Sequence, residues 1–158
     1  MASTRVDYNS MGWNSAVPFY GPAAVQDGRA LIQLKILSDR RAEGGGIAWL
    51  VRFDPPGGKL IKVVATALSD EHVFGLHGGR ATKSGQPVQG SGGYSLNPKG
   101  QPHSAMIATE TTALVIYAGE PDRIESLELV DIAPATTAYQ GRPVRQHAAR
   151  RCYKLPTA

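Results

Sequence analysis

Gly58-Lys59-Leu60-Ile61-Lys62-Val63-Val64-Ala65-Thr66-Ala67-Leu68-Ser69-Asp70-Glu71-His72-Val73-Phe74-Gly75-Leu76-His77-Gly78 holds two short β-rich runs closed off by glycine turns. Branched and aromatic side chains fit a pleated, half-buried surface, so strands are expected at 59–65 and 72–76. The two-residue period of a strand puts Lys62, Val64 and Thr66 on one face of the first run. In the second, the same parity puts Val73, Gly75 and His77 on the face of Glu71, expected to be the inner one, and His72 on the opposite face.

The same rhythm extends outward in both directions. Further strands are expected at 30–37, 46–53, 92–96, 113–117 and 126–130. They are separated by turn signals such as Asp54-Pro55-Pro56-Gly57-Gly58, Gly85-Gln86-Pro87, Asn97-Pro98-Lys99-Gly100 and Tyr117-Ala118-Gly119-Glu120-Pro121. No window of helical length carries a sustained 3.6-residue apolar period, so helix is a minor element. Regular strands between frequent turns predict an all-β, antiparallel sandwich or barrel.

The chain has 158 residues, enough for one domain with a substantial core. Its net charge of +4 suggests a nucleic-acid binder until the charges are placed. Residues 1–135 carry 12 basic and 13 acidic side chains, a net of −1. Residues 136–158 carry Arg142, Arg145, Arg150, Arg151 and Lys154 with no acid, a net of +5. The basic excess is therefore a tail, read as a solvated or subunit-wrapping arm and not as a nucleic-acid interface. Cys152 is the single cysteine, which excludes an intrachain disulfide framework. Met1–Ser10 has no apolar h-region and no run approaches the ~20 apolar residues of a membrane helix, so a cytoplasmic protein without a membrane partner is expected. The expected layout is an irregular N-terminal lead-in over 1–28, a barrel over 29–134 and the basic C-terminal arm over 135–158.

A second segment, Gly92-Gly93-Tyr94-Ser95-Leu96-Asn97-Pro98-Lys99-Gly100-Gln101-Pro102-His103-Ser104-Ala105-Met106-Ile107, completes a pattern with the first. Gly58, Glu71 and Gly78 match the motif G-x5-H-x-H-x4-E-x6-G. Gly92, Pro98, Gly100 and His103 match G-x5-P-x-G-x2-H-x3-N. The chain therefore resembles the cupin superfamily, and its lead-in is similar to that of small single-domain members of the acetylacetone-dioxygenase-like group. The resemblance implies an antiparallel jelly-roll barrel, a small-molecule ligand and a homodimer. It also implies one divalent metal held by two histidines, the glutamate and the second-motif histidine.

The departures bear on that metal. The two histidine positions of the first motif fall on Val64 and Thr66, and the asparagine of the second falls on Ile107. Valine cannot ligate, and a neutral threonine hydroxyl is a poor ligand for a transition metal. The usual four-ligand site is thus disfavoured; any metal would need Glu71, His77 and His103, and the cofactor is left as none or unknown, with a divalent metal possible but disfavoured. Without a metal, Glu71 and His103 form an acid–base pair, with lyase, isomerase or cyclase chemistry in view. Burial moves both groups toward a useful range. Lys62, Val64, Thr66, His77 and Ile107 are the candidate ligand-binding positions, Lys62 as an ammonium for a substrate carboxylate. The alternatives are a non-catalytic binding or sensing protein, or a metal-dependent dioxygenase-like protein with a non-standard site.

Overall fold

The computed structural model describes residues 5–134. The basic arm, with Cys152, lies outside the described residues. The chain runs through β1 (Asn14–Ser15), a single helical turn α1 (Val17–Tyr20), β2 (Val25–Gln26), β3 (Arg29–Ala30), β4 (Ile32–Asp39) and β5 (Ile47–Phe53). Then come β6 (Lys59–Thr66), β7 (Glu71–His77), β8 (Arg80–Ala81), β9 (Pro87–Gln89) and β10 (Tyr94–Asn97). The last three strands are β11 (Pro102–Ile107), β12 (Thr111–Tyr117) and β13 (Arg123–Asp131).

Each strand expected from the sequence is present, within a few residues at its ends. β11 has no counterpart among the expected strands, because Pro102 at its start and the Asn97-Pro98-Lys99-Gly100 turn before it mask a six-residue run. Proline is tolerated there as the first residue of a strand at a sheet edge. One sheet has the order β1-β4-β5-β12-β7-β10 and a second has β11-β6-β13. All their pairings are antiparallel. The two sheets face one another as a jelly roll without closing into a continuous barrel.

Lateral register explains which side chains meet. Directly opposed residues share a sheet face, so the inward rows of the larger sheet can be read across its strands. Val51, Ala113 and Gly75 form one row, and Trp49, Val115, Val73 and Ser95 the next. Ile47, Tyr117, Glu71 and Asn97 form the third. Ile61 and Val63 answer from β6, and Trp49, Ile61, Ile47 and Val51 are among the most deeply buried side chains. Phe19 and Tyr117 pack on Trp49 with ring centroids 4.8 and 5.1 Å away. Gly46 makes the close approach at one corner possible, because a Cβ there would overlap the Tyr117 carbonyl oxygen.

The outer face of β4 and β5 is covered by the N-terminal segment. Lys35 donates to the Tyr8 carbonyl at 2.8 Å, and the Lys35 and Arg52 cations lie over the Trp13 ring. No helix among the described residues is long and apolar enough to cross a membrane.

Candidate active site

The third inward row ends in a polar cluster. Glu71 opens β7 between Tyr117, which ends β12, and Asn97, which ends β10. Both neighbours donate to its carboxylate: Tyr117 through its hydroxyl to Oε1 at 3.0 Å, and Asn97 through Nδ2 to Oε2. The facing sheet supplies the remaining members. His103 on β11 and Ile124 on β13 flank Ala65 of β6. Asp122, immediately before β13, therefore reaches the same end of the molecule as His103. His103 Nε2 lies 2.9 Å from Asp122 Oδ2 and 3.3 Å from Glu71 Oε2, so one imidazole bridges the two sheets. Its Nδ1 faces the Gln101 carbonyl at 3.4 Å.

Burial and charge set the proton affinities. Burial pushes the Glu71 carboxyl above the usual carboxylate range, with the Asp122 charge adding to the effect. Donation from Asn97, the His103 charge and donation from Tyr117 oppose that rise. His103 is raised above the ordinary imidazole value, chiefly by its hydrogen bond to Asp122, although burial pulls the other way. Burial also lifts the Tyr117 and Tyr20 hydroxyls, so both remain neutral donors at ordinary pH. Asp122 Oδ1 is buried without a hydrogen-bond partner.

The cluster forms one end of a cavity of about 860 Å³, its open mouth included. The body of the cavity is apolar, with Val51, Phe53, Val63, Val73, Ile107 and Val115 in its walls. Gly75 faces it without a side chain, and the segment Gly90 to Gly93 packs across Gly75 through backbone hydrogen bonds of 2.8 Å. Residues of the edge strands β10 and β11 and of the ribbon of β8 and β9 also line it, among them the exposed Arg80.

Several expected ligand-binding positions lie elsewhere. Lys62, Val64 and Thr66 are on the outer face of β6, where Lys62 sits 3.9 Å from Glu128 and Thr66 donates to Glu125 at 3.0 Å. The inward residues of β6 are Ile61, Val63 and Ala65. A one-residue slip in register exchanges every side chain between faces, and Gly57-Gly58 allows the count to start from either glycine. His77 is exposed as well. The β7–β12 register shifts so that Gly75 faces Ala113 but His77 faces Thr112, leaving Leu76 as an extra residue. Such a bulge reverses the alternation beyond it, and His77 ends β7 six residues, roughly 20 Å, from Glu71 at its start, so it does not join the cluster. Ile107 does line the cavity and is buried.

Asp122 is the member that sequence reasoning missed. The one available signal was an acid directly after Pro121, at the end of a turn and the start of a strand.

The donor set does not form the four-ligand metal centre that the family resemblance implies. The inward positions of β6, Val63 and Ala65, offer no lone pair. Among the described residues, one cluster could hold a metal ion, Glu71, His103 and Asp122, with ligand atoms within 4.8 Å of one another.

No protein-family model matches the chain, and no curated protein matches it. Solved structures do. An RmlC-like cupin protein from Ralstonia eutropha JMP134 shares 18% identity over 82% of this chain and 80% of its own, with a TM-score of 0.51. The polyketide cyclase RemF from Streptomyces resistomycificus shares 17% identity over 80% of this chain and 88% of its own, with a TM-score of 0.53. A protein of unknown function with a cupin-like fold, also from R. eutropha JMP134, shares 14% identity over 79% and 76%, with a TM-score of 0.53. With its two antiparallel sheets, this chain has the cupin jelly-roll fold.

Proposed function

We propose that the protein binds a small organic molecule in the apolar cavity and moves a proton on it through Glu71 and His103, with Asp122 positioning His103. The observation that carries this reading is one imidazole bridging two buried carboxylates at 2.9 and 3.3 Å at the end of an otherwise apolar cavity. Pairs of titratable groups with altered proton affinity in a cleft are the usual equipment of general acid–base catalysis. Glu71, drawn toward its neutral form, acts as the proton donor or acceptor, and His103 as its partner. The chemistry is of lyase, isomerase or cyclase type and runs without the four-ligand metal centre. The polyketide cyclase among the solved relatives agrees with that class of reaction, at the level of fold.

The test is exchange of carbon-bound protons in D₂O, followed by proton NMR, with small 1,3-dicarbonyl and β-hydroxycarbonyl compounds. Exchange faster than the uncatalysed rate is expected with the native chain, and that acceleration is lost in Glu71→Gln and His103→Ala. Exchange at the same rate in both variants overturns the assignment. Metal analysis of the same untagged sample accompanies it, and stoichiometric metal whose removal stops exchange overturns the metal-free route.

A second reading, binding without turnover, is favoured by one observation. Glu71 already accepts from Tyr117 and Asn97 and faces His103, so its carboxylate is satisfied within the fold. That reading predicts ligand-induced thermal stabilisation with no exchange and no product by mass spectrometry.

A further inference from the structure

Arg80 is a cation at the cavity rim that the acid–base reading does not use. β8 carries it across the free edge of β11, where it lines the cavity beside Ser104 and Ala105. An edge strand leaves carbonyl groups without a ladder partner. The Ser104 carbonyl is one of them, and it accepts a hydrogen bond from Arg80 Nη2. This bond holds the guanidinium at the rim, one residue along β11 from His103. Arg29, Arg40, Arg41 and Arg123 are spent on carboxylates, namely Asp54, Glu43, Asp39 with Glu120, and Glu125, while Arg52 is held by Gln33 and the Trp13 ring. Among the described residues Arg80 makes no ion pair, so its remaining N–H groups are open to solvent and to the mouth.

We infer that Arg80 selects ligands bearing a carboxylate, which it binds at the mouth while an apolar body fills the cavity toward Glu71 and His103. This inference rests on the reading above that the cavity takes a small organic ligand, and it names the class of that ligand. A guanidinium presents a planar fork of donors that matches a carboxylate, and charge-assisted bonds of this kind are the stronger ones. The polar cluster supports the same orientation. Glu71 and Asp122 put two acidic groups there against one imidazole, so an anion is better placed on Arg80 than beside them. The apolar cavity walls suit an aromatic ring or a short aliphatic chain.

Matched acid and amide probes test the inference by calorimetry at pH 7 and low salt: benzoate against benzamide, phenylacetate against phenylacetamide, and hexanoate against hexanamide. In the native chain the acids should bind about 10-fold more tightly than the amides, and added salt should narrow the gap because the rim is exposed. Arg80→Gln should bring the acids to the level of the amides while amide binding stays unchanged, which also shows that the variant is folded. Arg80→Lys should restore part of the preference. Acids and amides binding alike to the native chain overturns the inference and leaves the cavity reading intact. A preference that survives in Arg80→Gln and disappears in His103→Ala also overturns it, since the imidazole would then be the anion site. If none of the probes binds, both the cavity reading and this inference fall.

Discussion

Replacing Asp122 by alanine probes the contact that joins the two sheets. Its Oδ2 lies 2.9 Å from His103 Nε2, and the two side chains are only 6% and 19% exposed. A hydrogen bond involving charged groups contributes about 1.5–3 kcal/mol net. At roughly 2–4 °C per kcal/mol for a chain of this size, Asp122→Ala should lower Tm by about 3–12 °C at pH 6. The lower half of that range is expected, because the substitution also removes the unpartnered Oδ1. His103→Ala is a different perturbation. It leaves Glu71 and Asp122 facing one cavity with no cation between them, and breaking a buried ion pair costs about 3–5 kcal/mol. Its loss of stability should therefore exceed that of Asp122→Ala at neutral pH, and should shrink in acid as a carboxylate takes up a proton. Thermal unfolding of the native chain, both single variants and the double variant at pH 6 and pH 9 closes a double-mutant cycle. The coupling energy should be about 1.5–3 kcal/mol at pH 6 and should decline toward pH 9, because the proton that His103 holds more tightly in the fold is given up as pH rises. A coupling below about 0.5 kcal/mol at pH 6, the ordinary scatter of independent sites, would refute the reasoning. So would a coupling that grows toward pH 9.

Three further outcomes follow from the same geometry. His103 and Glu71 both hold protons more tightly in the fold than in the unfolded chain, so their contribution is complete at low pH and lost as pH rises through their folded values. For His103 that loss begins above its ordinary value of about 6.5; Tm should fall between pH 6.5 and 9 in the native chain, with a shallower slope in His103→Ala, whereas a rise would contradict the assignment. Tyr117→Phe keeps the ring against Trp49 but removes a donor to Glu71 Oε1; denaturant unfolding should show a loss of about 1.5–3 kcal/mol, and an unchanged midpoint would mean that this bond is not formed. Gly46→Ala drives a Cβ into the Tyr117 carbonyl; overpacking of this kind should cost about 1–3 kcal/mol, while Gly57→Ala, which meets nothing within 4 Å, is the control expected to stay near neutral.

The strands of the two main sheets could be read in the sequence, apart from β11 and the short edge strand β1, because alternation and turn chemistry are local properties. Glu71 and His103 were legible from motif spacing for a similar reason. Each sits at a fixed count from glycine and proline turns that the chain needs in order to reverse direction. The outer position of His72 was legible as well, since no bulge intervenes between it and Glu71.

What the chain could not show by itself was every choice that depends on a second strand. A period of two divides β6 into Lys62, Val64 and Thr66 on one side and Ile61, Val63 and Ala65 on the other, but it does not say which side is inward. Contact with the opposite sheet decides that, and it chose the apolar set. The place of His77 was lost to a bulge that exists only in the pairing of β7 with β12. Asp122 lies 19 residues beyond His103 in sequence. It reaches the imidazole only because β11 and β13 flank the same strand, β6. The sequence alone determined most of the strands and, through the motif resemblance, singled out two members of the candidate site. The tertiary structure supplied the third member and the inward face, because side-chain contact across a sandwich is fixed by strand pairing and not by spacing along the chain.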